Sequence, residues 1–311
     1  MGEVIEKEKY EHSIEVLKLA SQMSEQYYKK PLLLSYSGGK DSDVLLQLAL
    51  ESGIKFEVQN SHTTVDAPQT VYHIREVFKK LNEQGVNAYV HHARWKDGRL
   101  MTMWNLIEHK KYPPTRLVRY CCTYLKETTA PNRFVATGVR RAESIRRRER
   151  EEFLTWSKTH GEWYKGKSFA ETAEVYKEAQ ENDEVYDCKF ITDAKKNKDL
   201  VCNPILYWTD SDVWNFIKDR NIKVCDLYSM GFKRVGCVGC PLAGREERER
   251  EFSIFPKYKL NYIKAFDRMD KSKYTGGGGI TPQSTGQEVF DWWMQDPRFY
   301  GQTELEGWRD D

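Results

Sequence analysis

A parallel β-sheet covered by helices on both faces is the fold class predicted for this chain of 311 residues. Three observations predict it. Short apolar runs alternate with segments of helical apolar spacing, as in chains that build a sheet strand by strand with a helix between. The first apolar run passes through a glycine turn directly into a helix start. The residues with chemical capacity follow the strands, at whose carboxyl ends such sheets bind their ligands.

Apolar side chains at Ile14, Val16, Leu17, Leu19, Ala20 and Met23 have helical spacing, so residues 11–28 are expected to be a helix and 1–29 an N-terminal helical element. Leu32-Leu33-Leu34 is the first strand and Asp43–Leu50 the first turns of a buried helix. Ile54–Val58 is the second strand, and a loop from His62 to Pro68 leads to a helix over about Gln69–Asn82. Ala88–His91 and Arg133–Gly138 are the third and fourth strands. From about 147 to 199 the chain turns strongly polar, with isolated aromatics such as Trp156, Trp163 and Tyr164, and reads as an insertion. Order resumes at Val201–Ile205. Thr209 with Asp212 has the spacing of a helix capping box, and Val213, Phe216 and Ile217 form the buried face behind it. Gly276–Gly279 reads as a connector within a helical C-terminal extension, 266–311, that follows a central domain over 30–265.

Composition excludes several function classes. With 49 basic against 47 acidic residues, the formal charge of +2 implies no general affinity for polyanions. Local clusters at Arg140-Arg141 and Arg146-Arg147-Arg148 still suit phosphate oxygens, with a solvated helix face as the alternative. No run of about twenty apolar residues implies a membrane span, and the charged segment Met1–Tyr10 does not read as a signal peptide, so a cytoplasmic location is expected. In a reducing compartment the seven cysteines are candidates for burial, catalysis or metal binding rather than disulfides.

The phosphate chemistry is concentrated in Ser35-Tyr36-Ser37-Gly38-Gly39-Lys40-Asp41-Ser42. Two glycines allow a sharp turn that brings backbone N–H groups onto an oxyanion, and the helix start adds its partial positive charge. Ser37 and Ser42 add hydroxyl donors, Lys40 a point charge, and Asp41 a metal or helix-start contact. The spacing is not that of Walker A. Thr137-Gly138-Val139-Arg140-Arg141 through Arg146 begins where the fourth strand stops, and arginine suits bidentate contact with phosphate or sulfate.

The metal chemistry lies in adjacent Cys121 and Cys122 and the C-x-x-C pair Cys237 and Cys240. Four thiolates from two segments suit tetrahedral zinc or an iron–sulfur cluster, with ordinary buried thiols as the remaining reading. Adjacent cysteines are awkward on one zinc ion and workable on two irons of a cubane. Arg116, Arg119 and Lys126 flank the pair. Cys188, Cys202 and Cys225 have no partner spacing, and core packing is their expected role.

The Ser-Gly-Gly-Lys-Asp-Ser loop resembles the pyrophosphate loop of the adenine-nucleotide α-hydrolase-like enzymes. Together with the four cysteines, the Thr-Gly-Val-Arg-Arg-Ala-Glu-Ser segment and Asn203-Pro204-Ile205…Trp208–Trp214, it resembles the phosphoadenosine phosphosulfate (PAPS) reductase family over roughly 30–145 and 200–265. The cysteine pattern is similar to that of the adenylyl-sulfate (APS) reductases, which implies a 4Fe-4S cluster on Cys121, Cys122, Cys237 and Cys240. Related proteins of DNA phosphorothioation systems also combine such a loop with a cluster.

The resemblance implies nucleotide contacts from Ser35, Ser37, Gly38, Gly39, Lys40, Asp41, Ser42, Gly138, Arg140, Arg141 and Arg146. Lys40 and Arg140 would be catalytic and magnesium would bridge phosphate oxygens. Two features depart from the reductases. No cysteine follows Cys240, where they carry a C-terminal nucleophile, and the loop has the full form of members that cleave ATP. The expected activity is therefore ATP α-phosphate cleavage or adenylation coupled to sulfur transfer, with a sulfur donor protein and a nucleic-acid acceptor as candidate partners. The alternatives are sulfonucleotide reduction with a thiol from elsewhere, and nucleotide sensing without catalysis.

Overall fold

The structure is a computed structural model and describes residues 7–127, 130–143, 147, 150–157, 167–181, 198–273 and 280–295. The chain divides into two compact units, one of 1–61, 68–91 and 130–235, the other of 62–67, 92–129 and 236–311.

The first unit carries a six-stranded sheet of order β3-β2-β1-β4-β6-β5. The strands are β1 Leu32–Ser35, β2 Phe56–His62, β3 Ala88–His92, β4 Phe134–Ala136, β5 Phe153–Ser157 and β6 Lys198–Cys202. β1 pairs in parallel with β2 and β4, and β4 in parallel with β6. The apolar strand residues Leu32, Leu34, Val58, Phe134, Ala136 and Leu200 join Val16, Leu17 and Ala20 of the helix Lys7–Met23 in one core. Val44, Leu45 and Leu48 of the helix Lys40–Ser52, and Val213 and Phe216 of the helix Asp210–Asp219, complete it. Thr209 and Asp212 make the expected reciprocal cap.

Two boundaries differ from the sequence reading. Gly53 caps the preceding helix in the left-handed region, so β2 starts at Phe56 rather than Ile54 and runs on to His62. The polar segment contributes to the sheet: β5 pairs antiparallel with β6, Phe153 opposite Cys202, which adds an antiparallel edge to the parallel β2-β1-β4-β6 pairings. Trp163, Tyr164, Cys188 and Gly276–Gly279 lie outside the described residues.

This edge is held by a buried charge. Glu152, 3% exposed, accepts the backbone N–H of Phe169 at 2.8 Å and pairs with His12 of the N-terminal helix. The hydrogen bond to Glu152 raises the His12 pKa, burial opposing. A raised folded pKa gives stability that is full below the unfolded value, about 6.5, and lost as pH rises through the folded value. The melting-temperature advantage of the native protein over His12→Gln is therefore expected to be larger near pH 6 than near pH 9. An advantage that does not change with pH would contradict the pairing.

The second unit contains the helices Met103–Lys110, Arg245–Ile254, Pro256–Arg268 and Gly286–Trp293, with the short turn Tyr120–Cys122. Its core is aromatic, with the Tyr262 ring 4.7 Å from that of Trp293 and 5.1 Å from that of Trp104. No helix among the described residues is long and apolar enough to cross a membrane.

Candidate functional site

β2 and β3 lie on one side of β1 and β4 on the other, so the chain reverses direction across the sheet between β1 and β4. Ligands of such sheets bind at the carboxyl ends of the strands flanking the switch point, and both phosphate-type segments emerge there. Ser35 ends β1, and the turn Tyr36–Gly39 leads into the helix that starts at Lys40. Gly38 has φ +75°, and a Cβ there would lie 2.9 Å from Ile74 Cγ1, so both conformation and space call for glycine. Ser42 Oγ donates to the Gly39 carbonyl at 2.7 Å, and the Ser42 and Asp43 N–H groups bond the same carbonyl at 2.9 and 3.0 Å. The Lys40 N–H donates to Tyr228 Oη at 2.9 Å.

Gly138, just beyond β4, fixes how closely the second segment approaches. A Cβ at this position would lie 2.9 Å from the Asp41 carbonyl oxygen and 3.0 Å from its carbon, a clash with backbone that no side-chain rotation relieves. Gly138→Ala is expected to cost about 1–3 kcal/mol, typical of overpacking. Denaturant unfolding that matches the native midpoint would contradict this close approach.

Two cations and two carboxylates interlock at the loop. Lys40 Nζ donates to both Asp41 oxygens and to Asp210 Oδ1, each at 3.1 Å. Arg140 Nε donates to Asp41 Oδ1 at 2.6 Å, Nη2 to Asp210 Oδ1 at 2.7 Å and Nη1 to the Trp208 carbonyl at 3.2 Å. Arg140 is 2% exposed and Lys40 6%, while the Asp210 side chain is largely open to solvent. The Lys40 hydrogen bond, with Arg140 behind it, holds the Asp210 carboxyl below its usual range against a burial effect. Low-dielectric surroundings make such pairs strong, and a new anion can compete with the carboxylates for both cations.

Of the other sequence candidates, Ser37 Oγ lies 3.3 Å from Ser42 Oγ. Arg141 is engaged away from the loop: Nε and Nη2 donate to the Arg150 carbonyl at 2.9 and 2.7 Å, and its guanidinium sits 4.8 Å from the Tyr207 ring centre. Arg146 lies outside the described residues.

The four candidate ligand cysteines all belong to the second unit and are free thiols. Cys121 donates to Cys122, which raises the former's pKa and lowers the latter's; Lys126 and Arg119 also favour the Cys122 thiolate. Cys237 lies in a bridge with Asp66, its sulfur 3.5 Å from Thr63 Oγ1, and burial pushes its thiol up to about 11 against the pull of Lys126. The Val238 N–H bonds the Val65 carbonyl at 2.8 Å, and the Gly239 N–H donates to Glu251 Oε2 at 2.6 Å, which fixes the turn between Cys237 and Cys240. The Cys121 thiol feels Cys122, Cys237 and Cys240, and the Cys237 thiol feels Cys240. Among the described residues no three His, Cys, Asp or Glu side chains are grouped to hold a metal ion. The soft, all-sulfur donor set, drawn from two fixed turns, fits a cluster whose metals are spread over several ångströms. Cys202 and Cys225 are buried and their thiols are raised by burial, as core packing requires.

The model of the phosphoadenosine phosphosulfate reductase domain matches residues 31–243 of this chain. The chain belongs to the phosphoadenosine phosphosulfate reductase family. The family domain thus takes in the glycine loop, the Gly138–Arg141 segment and all four cysteines.

An uncharacterized protein of Methanocaldococcus jannaschii is 27% identical over 241 residues, 75% of this chain and 47% of that protein. An adenosine 5'-phosphosulfate reductase of Oceanobacillus iheyensis is 35% identical over 51 residues, 16% of this chain and 21% of that enzyme. The chain therefore spans less than half the length of these curated relatives. The phosphoadenylyl-sulfate reductase of Candida auris, solved as a phosphate complex, overlaps 76% of this chain and 98% of its own at 14% identity and a TM-score of 0.41.

Three site features were not read from the sequence. Asp210 and Tyr228 reach the loop across 170 and 188 residues of chain. Beneath the loop, Tyr36, Asp43 and His73 form a buried triad, with His73 Nε2 3.0 Å from both Tyr36 Oη and Asp43 Oδ1. The only sequence signal was a carboxylate in the first turn of an otherwise apolar helix.

Proposed function

We propose that this PAPS reductase-family protein is an enzyme of sulfur metabolism that binds ATP or an adenylyl nucleotide at Ser37–Ser42 and cleaves at the α-phosphate. The observation that carries the reading is the Lys40–Asp41–Arg140–Asp210 network, its two cations buried, at the start of a helix where the sheet reverses. Phosphate oxygens arriving at the loop would meet backbone N–H groups and the helix dipole, and would draw Lys40 and Arg140 away from their carboxylates. An acceptor oxygen then attacks the α-phosphorus, the bond to the bridging oxygen breaks, and pyrophosphate leaves with the electron pair. Lys40 and Arg140 offset the charge that develops. Asp41 and Asp210 are suited to holding magnesium, which takes one or two carboxylates plus substrate phosphates and supplies charge neutralisation.

Cys121, Cys122, Cys237 and Cys240 are the residues that would hold a 4Fe-4S cluster, which supplies electron or sulfur chemistry when bound. Lys126 offsets thiolate charge there, and the Glu251 contact keeps the C-x-x-C turn in place.

A second reading, sulfonucleotide reduction, is favoured by the 51-residue match to an adenosine 5'-phosphosulfate reductase. The two readings separate in one experiment. Protein prepared without oxygen is incubated either with ATP plus DNA, tRNA or small sulfur acceptors, or with APS or PAPS plus reduced thioredoxin. Pyrophosphate in the first set without sulfite in the second is the expected result; rapid sulfite release without pyrophosphate would put the reductase reading first.

A further inference from the structure

The helix Arg245–Ile254 follows the C-x-x-C turn and carries two buried charged residues one turn apart, Arg248 and Glu251. One Glu251 oxygen is committed to the Gly239 N–H at 2.6 Å. Arg248 is 5% exposed. Its Nη1 donates to the Trp293 carbonyl at 3.0 Å, and its guanidinium stacks 4.0 Å from the centre of the Trp293 ring. Trp293 is itself anchored, its indole N–H donating to the Pro114 carbonyl at 2.6 Å. The guanidinium is therefore fixed in place, yet Nε and Nη2 are buried with no hydrogen-bond partner among the described residues.

Burying a guanidinium with unmade hydrogen bonds is strongly destabilising, as is a buried charge left without its partner. A side chain held in that condition by a packed tryptophan calls for an anion. Burial lowers the Arg248 pKa to about 10, with Tyr262, Cys240 and Glu251 acting in the opposite sense, so the group is charged at neutral pH. Four thiolates on an oxidised 4Fe-4S core leave a dianion, and one-electron reduction adds a further negative charge. Lys126 acts on Cys237, Cys122 and Cys240. Arg119 acts on Cys122 as well, and neither cation is an observed influence on Cys121.

We propose that Arg248 is a buried counter-charge of the cluster beside Lys126 and Arg119, offering Nε and Nη2 to its anionic sulfurs and setting its redox balance. The proposal rests on the cluster reading above. It joins the helix Gly286–Trp293 to the metal centre through Trp293, a role for the C-terminal extension outside the matched family domain.

The test uses the full chain prepared without oxygen, with Arg248→Gln, the apolar Arg248→Met, and Arg248→Lys. Iron and acid-labile sulfide are counted, and the reduced fraction is followed by electron paramagnetic resonance at fixed applied potentials. Loss of the positive charge makes reduction harder. Arg248→Gln and Arg248→Met are expected to hold less cluster, or to show about a tenfold smaller reduced-to-oxidised ratio at one potential, equivalent to about 59 mV for one electron. Arg248→Lys is expected to recover most of the shift. Full loading with an unchanged ratio in both uncharged variants overturns the proposal, as does a lowered melting temperature of the metal-free protein with no change in ratio. Native protein without iron is a separate result and removes the cluster reading itself.

Discussion

Cys237→Ser protein prepared without oxygen is expected to be colourless, its iron and acid-labile sulfide reduced from near-stoichiometric amounts in the native chain to background. Cys237 holds a β-bridge with Asp66 and meets the Thr63 hydroxyl, so its sulfur is one of the most firmly placed of the four. A serine oxygen retains the shape but is a hard donor, poorly matched to an iron–sulfur core. Because ligand binding of this kind is linked to folding, the variant is also expected to melt at a lower temperature than the loaded native protein. A native protein that is colourless and holds one zinc per chain would contradict the cluster. A brown serine variant would remove Cys237 from the ligand set.

Lys40→Ala is expected to lose most of the stabilisation that ATP gives the native chain. A ligand at about a hundred times its dissociation constant, bound only to the folded state, adds about 2.7 kcal/mol. Lys40 is one of two cations between the Asp41 and Asp210 carboxylates. Without it those carboxylates keep only Arg140, and their uncompensated charge opposes an incoming triphosphate. Asp210→Asn acts in the opposite sense on that charge and is expected to keep the stabilisation that ATP gives in the absence of magnesium. Thermal shifts of equal size in the native and Lys40→Ala proteins would show that the nucleotide does not use this loop.

The loop was legible because its information is local. Strand, two glycines and helix start are contiguous from Leu32 to Leu50, and the structure has them in that order, with Gly38 in the left-handed region as the turn requires. The capping box at Thr209 and Asp212 is local in the same way. Asp210 was passed over because it stands between those capping residues, and its contact with Lys40 depends on where two helices meet, which no spacing encodes. β5 was hidden in a polar setting. Phe153 and Leu154 are buried, but a strand at the sheet edge needs only a short apolar stretch, and its antiparallel pairing depends on β6 more than forty residues later.

Arg248 and Glu251 illustrate the same limit from the other side. The string Arg245–Glu251 reads as a solvated charged helix, and only packing against Trp293 and the Gly239 turn takes two of its charges out of water. Arg140 was legible as a residue and misleading in its surroundings, because its partners in the structure are Asp41 of the loop, the distant Asp210 and the Trp208 carbonyl.

The most direct measurement is product analysis with ATP labelled at the α-phosphate, in an anaerobic preparation supplied with candidate acceptors. Label recovered as AMP or as an adenylylated acceptor, with one pyrophosphate per turnover and none from Lys40→Ala, is the result expected of a site that cleaves at the α-phosphate. Label recovered as ADP with inorganic phosphate, at a rate that Lys40→Ala does not change, would contradict it.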